Sequence, residues 1–148
     1  MNSRILSLLA IATALSGCAT YYKEPSSSSP RAQIAGKQKD CIIGCKGGVF
    51  IQAVNGVQVS NMWKSNNYYL NPGPNSVLVA ISDAGLFGVC ELSFSAVSGE
   101  SYLATHVIEG TAFVVTTRDK AASEVANCVA PMGRAPSTSY MPIFIPVQ

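Results

Sequence analysis

The chain is short of charge and of the side chains on which most catalytic sites are built. Only 12% of its 148 residues are charged, about half the usual share for a soluble domain. Ten basic side chains stand against eight acidic ones, for a net charge of +2. That balance gives no basic footprint, so nucleic acid is not expected as a partner. His106 is the only histidine. A cluster of histidines around a metal is therefore excluded, and a serine or cysteine triad would have to use this one residue. No apolar run reaches the roughly 20 residues that a membrane-spanning helix needs.

The features that are present begin at the N-terminus. Met1 to Arg4 carries one positive charge, and Ile5 to Leu15 is apolar apart from Ser7 and Thr13. A short basic start followed by a short apolar stretch and small residues has the shape of an export signal. The segment is expected to be removed, which leaves roughly 130 residues, enough for one domain around a single core. The next residues are Leu15-Ser16-Gly17-Cys18. This tetrapeptide resembles the lipobox of bacterial lipoproteins, an aliphatic residue and two small ones before the cysteine. The resemblance implies that residues 1–17 are a signal peptide, that the Cys18 thiol carries a diacylglycerol, and that its freed amine is acylated, for instance with palmitate. One acyl chain holds only marginally, so two or three make a stable anchor. Ala19 follows the cysteine; in that family an Asp there favours the inner membrane, so the resemblance implies the outer membrane, with the domain on its periplasmic face.

Residues 18–40 contain Pro25, the run Ser26 to Ser29 and Pro30, with no strand or helix period. A polar Ser/Pro stretch buries too little apolar surface to offset its ordering entropy. It reads as a flexible tether, spanning roughly 25 Å as a coil and about 70 Å if extended. A strand around Gln33 to Ala35 is the lesser reading.

From Gly48 the pattern turns to short β-rich runs between turn signals, and the fold class expected is all-β, a small antiparallel β-sandwich over residues 41–129. Val49 to Val54 and Val57 to Val59 flank Asn55-Gly56, the pair that favours a type I′ hairpin turn. Leu70-Asn71-Pro72-Gly73 is a turn leading into Ser76 to Ser82, where Val77, Val79 and Ile81 share a face. Val89 to Val97 places Cys90, Leu92, Phe94 and Ala96 on one side and Glu91, Ser93 and Ser95 on the other, towards water. Turns at Ser98-Gly99-Glu100 and Glu109-Gly110 separate the strands Tyr102 to Ile108 and Ala112 to Thr117, and consecutive antiparallel pairing is expected. Lys120 to Asn127 fits a short helix or a strand. Residues 130–148 form a Pro-rich tail ending in Met141-Pro142-Ile143-Phe144-Ile145-Pro146; its prolines keep it from a central strand, but it suits a sheet edge or a partner. Phe50 to Val54, Asn55-Gly56, Leu70 to Gly73 and Val77 to Ile81 resemble the repeat of small β-sandwich and PEGA-like envelope lipoproteins. That resemblance implies an envelope location and a fold, not an activity.

Five cysteines become four once Cys18 is lipidated: Cys41, Cys45, Cys90 and Cys128. An even number in an oxidising compartment suggests two disulfides. The preferred pairing joins Cys41 and Cys45 each to one of Cys90 and Cys128. A four-thiolate zinc site competes, but Cys90 and Cys128 lack the paired knuckle usual there, and no metal or cofactor is expected.

The remaining chemistry is sparse. His106 lies in a strand, where such a residue is more often structural or exposed than catalytic. Glu91, Glu100 and Glu109 fall at strand edges or turns and form no evident pair. Gly44-Cys45-Lys46-Gly47-Gly48 resembles a phosphate loop without its Ser or Thr, and reads more simply as a flexible lead-in to a strand. Met62-Trp63 and Tyr68-Tyr69 are the main aromatic cluster: core by default, with Trp63, Tyr68 and Tyr69 as the candidate contact patch for glycan or protein. The reading that results is a non-catalytic envelope module, anchored to membrane lipid through Cys18, that binds or supports another envelope protein. A subunit of a larger secretion, pilus or conjugation assembly, docking through the tail, is the alternative; an enzyme acting on cell wall or glycans has least support.

Overall fold

The computed structural model describes residues 20–39, 47–60 and 66–134. Among them there is no helix, and ten strands form two five-stranded sheets packed face to face. The first sheet orders β4 (Asn67–Leu70), β1 (Ala32–Gly36), β7 (Ser101–Glu109), β8 (Ala112–Arg118) and β9 (Glu124–Pro131). The second orders β10 (Gly133–Arg134), β6 (Leu86–Ala96), β5 (Gly73–Asp83), β2 (Gly48–Val54) and β3 (Val57–Gln58). The expected all-β sandwich is the fold the chain adopts.

Alternation builds the core. Val77, Val79 and Ile81 of β5 stand opposite Leu92, Cys90 and Gly88 of β6. The first three, with Leu92, are fully buried, while Glu91, Ser93 and Ser95 face outward. Ile34, Leu70, Phe113 and Val115 meet them from the first sheet, and burying each such side chain contributes about 1.5–3 kcal/mol. At Gly88 the sheets come so close that a Cβ would lie 2.9 Å from the Phe113 ring and 3.0 Å from Ala130.

The turns divide into two kinds. Asn55 and Gly56 have φ of 50° and 75°, the left-handed pair expected of the β2–β3 hairpin. Leu70-Asn71-Pro72-Gly73 and Ser98-Gly99-Glu100, by contrast, carry the chain from one sheet to the other. Consecutive antiparallel pairing therefore fails at β4–β5 and β6–β7, and β1 pairs parallel with β7. The β6–β7 crossing is held by Tyr102, whose hydroxyl accepts a hydrogen bond from the Val97 N–H at 2.8 Å, the device known as a tyrosine corner in other sandwiches.

The tether expectation is corrected. Ala32–Gly36 is an interior strand between β4 and β7, with Ala32, Ile34 and Gly36 turned into the core. The residues before it are docked as well. The Tyr22 N–H donates to the Gln58 carbonyl at 2.7 Å, and its hydroxyl donates to the Tyr69 carbonyl at 2.8 Å. Glu24 accepts from the Tyr69 N–H at 3.2 Å, and Arg31 stacks over the Tyr69 ring at 3.7 Å. This strap covers β3 and β4, the edge strands of the two sheets, whose open backbone groups it satisfies. The domain thus begins well before residue 41.

Two further boundaries move. Of the two readings of Lys120 to Asn127 the strand is the one formed, from Glu124 onward; before it Asp119 caps a turn through Ser123 and Ala122 has φ 63°. Ala130 and Pro131 belong to β9, and Gly133 and Arg134 to β10, so the tail starts later than residue 130. The expected signal peptide, Cys18 and residues 135–148 lie outside the described residues.

Candidate functional site

One end of the sandwich brings together Lys39, Asp83 and His106, which the sequence scatters. Asp83 closes β5, Lys39 comes after β1, and His106 sits in β7. The Lys39 ammonium donates to both carboxylate oxygens of Asp83, at 2.8 and 2.6 Å. His106 Nε2 lies 3.0 Å from Asp83 Oδ2, and the edge of its ring meets Phe113, with centroids 5.6 Å apart. The His106 and Asp83 side chains are only 7% and 11% exposed, whereas that of Lys39 is 59% exposed. Hydrogen bonds from Lys39 first, then from His106, hold the Asp83 carboxyl below the usual carboxylate range, against the opposing effect of burial.

The cluster has a definite consequence for the fold. It ties the end of β1 and the inner face of β7, in the first sheet, to the β5–β6 hairpin of the second. Beside it opens a cleft of about 580 Å³ lined by Lys37, Gln38, Lys39, Thr105 and His106. A carboxylate that orients an imidazole is a component of general-base chemistry. Here, however, the Thr105 hydroxyl is turned to the Thr116 carbonyl at 3.4 Å, and both oxygens of Asp83 are engaged by Lys39, with Oδ2 shared with His106. Among the described residues no group of His, Cys, Asp and Glu could hold a metal ion.

The cysteine pairing is corrected. Cys90 bonds Cys128, with Cα atoms 5.9 Å apart. These residues lie on β6 and β9, which overlie one another at the same side of the two sheets. Neither is therefore available to Cys41 or Cys45, nor to a four-thiolate zinc site. Cys41 and Cys45 lie outside the described residues, as does most of the glycine loop; Gly48 opens β2, the lead-in role expected of it.

Of the aromatic cluster, Tyr68 follows the default reading and packs in the core, 7% exposed, because it shares the inward face of β4 with Leu70. Tyr69 points outward but is covered by Arg31. Trp63 lies outside the described residues. Glu91 bonds the Ser76 hydroxyl on the neighbouring strand.

An unexpected surface stands on the outer face of the first sheet. Val107 of β7 lies opposite Val114 of β8, which lies opposite Val129 of β9. Val107 and Val129 are 54% and 59% exposed, and Leu103 and Val125 add to the same sheet face. Among the described residues β9 has β8 as its one sheet neighbour, and no described strand pairs with its other edge. The signal was present in the run Tyr102 to Ile108, which carries apolar residues at both parities; one parity would fill the core, and the other must face outward.

No family model, no curated protein and no solved structure matches the chain. Among the described residues no helix is long and apolar enough to cross a membrane.

Proposed function

We propose that the chain is an exported lipoprotein, cut before Cys18 and anchored by lipid on that cysteine to the periplasmic face of the outer membrane, whose sandwich is a binding module for another envelope protein. The observation that carries the binding role is the apolar row Val107, Val114 and Val129 running to the edge of β9 that no described strand pairs. An extended apolar segment of a partner, laid against that edge, gains backbone hydrogen bonds from β9 and side-chain contacts from the exposed valines. A soluble sandwich leaves such an edge unprotected only at the risk of self-association.

The lipid anchor rests on the lipobox residues and on the low charge of an exported chain. The binding role is tested by crosslinking in cells and mass spectrometry of the proteins that co-purify, comparing the natural chain with Cys18→Ser and with Val107→Asp/Val129→Asp. A defined envelope protein captured by the natural chain and lost in the valine variant supports the reading. Equal capture by both removes the β9 face from it.

A second reading, a subunit of a larger envelope assembly docking through its tail, has one feature in its favour. Pro142 and Pro146 are four residues apart, so in an extended strand they would share a side and the N–H groups of Met141, Ile143, Ile145 and Val147 would all stand on the other, as edge pairing requires. Deleting the tail abolishes assembly on this reading, with the domain still folded.

A further inference from the structure

We infer that the sandwich is held directly against the membrane in a fixed orientation, with the strap and the β3–β4 side toward the bilayer and the β9 edge facing away from it. The inference rests on the proposal that Cys18 is lipidated.

The length of free chain decides the matter. A flexible segment from Cys18 to Asp40 would let the domain wander by tens of ångströms. The structure instead fixes the chain at Tyr22, through the backbone bond to Gln58 and the hydroxyl bond to Tyr69. Glu24 and Arg31 secure the remainder of the strap, and β1 then enters the sheet interior. Only four residue steps separate Cys18 from Tyr22, at most about 14 Å of extended chain. A lipid on Cys18 therefore brings Tyr22, and with it the edge strands β3 and β4, to the headgroup layer.

The side chains exposed there suit such a surface. Tyr21 is 49% exposed and Lys23 is exposed beside it. A tyrosine prefers the headgroup level, and a lysine is drawn to anionic lipid. β9 stands at the opposite edge of the same sheet, with β1, β7 and β8 between it and β4. At the usual strand spacing that is about 19 Å further out. A partner approaching from the periplasm thus meets the β9 edge and its valines first.

The test uses the full acylated chain in vesicles of phosphatidylethanolamine and phosphatidylglycerol. A fluorescent amino acid replaces Gln58 in one variant and Asn127 in another, both exposed positions, and headgroup spin-labelled lipid serves as quencher. The expected result is loss of emission at position 58 with emission at position 127 retained. Inserting about a dozen Gly/Ser residues between Ala19 and Thr20, roughly 20 Å of coil, should abolish the difference without altering the fold by circular dichroism. Equal quenching at the two positions in the natural chain overturns the orientation while leaving lipidation intact. Labelling with radioactive palmitate, absent from Cys18→Ser, reports lipidation separately; no label on the natural chain overturns both.

Discussion

The two sides of the sandwich are closed by different means. On one, Cys90 of β6 and Cys128 of β9 form a covalent link between the sheets, and the chain crosses from β9 to β10 beside it. On the other, hydrogen bonds do the corresponding work, among them the backbone bond from Val49 N–H to the Lys37 carbonyl and three made by one side-chain amide. Asn66 Nδ2 donates to the Gly36 carbonyl at 2.7 Å and to the Val49 carbonyl at 2.5 Å, while its Oδ1 accepts from the Ile51 N–H at 2.9 Å. It thereby joins β1 to β2, with the strap lying outside them over β3 and β4. Gly36 has no room for a side chain at this junction, since a Cβ would fall 2.2 Å from the Val49 carbonyl oxygen. The covalent side acts mainly by restricting the unfolded chain, whereas the amide side acts only in the folded state. The first is indifferent to local opening; the second is where opening should begin.

The largest effect should come from breaking the covalent side. Cys90→Ala/Cys128→Ala opens a loop of 38 residues, which the chain-entropy account values at about 4 kcal/mol. Urea unfolding of the two proteins measures it. A midpoint unchanged by the double substitution would mean that β10 and the close approach of Gly88 to Phe113 and Ala130 suffice to close that side.

Asn66→Ala attacks the other closure and leaves two carbonyls and one N–H without their partner. About 3 kcal/mol of destabilisation is expected, with hydrogen exchange accelerating first at Ile51 and Gly36. Asn66→Asp should be worse than alanine, because it sets a carboxylate against two carbonyl oxygens. If exchange instead accelerates equally on β6 and β9, the two sides open as one unit and the distinction between them fails.

The polar clasp bridges the sheets at one end, and its effect depends on pH. Asp83 titrates below its ordinary value in the folded state. Its stabilisation is therefore fully present above the unfolded carboxylate pKa of about 3.9 and is lost as pH falls through the lower folded value. The largely solvated Lys39 end limits the contribution to about 1 kcal/mol. Melting temperature measured across the acid range should fall more steeply for the natural chain than for Asp83→Asn, with the difference vanishing at the acid limit. Parallel acid slopes for the two proteins would remove Asp83 from the clasp.

The reach of the sequence can be judged from particular segments. β5 and β6 were legible over Ser76 to Ser82 and Val89 to Val97, where the inward Val77, Val79, Ile81, Cys90, Leu92, Phe94 and Ala96 are all apolar. Both run to eleven residues, and at the ends of β5 the buried Asn75 and Asp83 hid the pattern. β1 was not, although it is interior. Its five residues, Ala-Gln-Ile-Ala-Gly, hold one large apolar side chain, and the strands on either side, not its own propensity, make it a strand. The segment after Lys120 fitted a helix or a strand, and the turn capped by Asp119 and the pairing with β8 decide for the strand. At the site, Asp83 and His106 are 23 residues apart on different sheets, so only the crossing of the chain between sheets unites them. The same holds for Cys90 and Cys128: their count implied disulfides, while their pairing needed the overlay of β6 on β9. Long-range pairing is the element that the sequence hid in each case.

The smallest effect sharpens the comparison from within the second sheet. The β5–β6 hairpin turns through Ala84 and Gly85, with φ of 50° and 79°, the same left-handed pair as Asn55-Gly56. Alanine in that region carries a steric cost of roughly 1–2 kcal/mol that asparagine largely avoids. Ala84 is exposed, so Ala84→Asn adds no clash and should stabilise the fold by about 1 kcal/mol. The gain is read by urea unfolding in two backgrounds, the natural chain and Cys90→Ala/Cys128→Ala. Equal gains mean that the hairpin closes independently of the disulfide carried by β6, and that stability on that side is a sum of local parts. A gain confined to the disulfide-bonded chain would show instead that β6 must first be fixed to β9 before the turn can hold its shape, making the covalent link the organiser of the whole side.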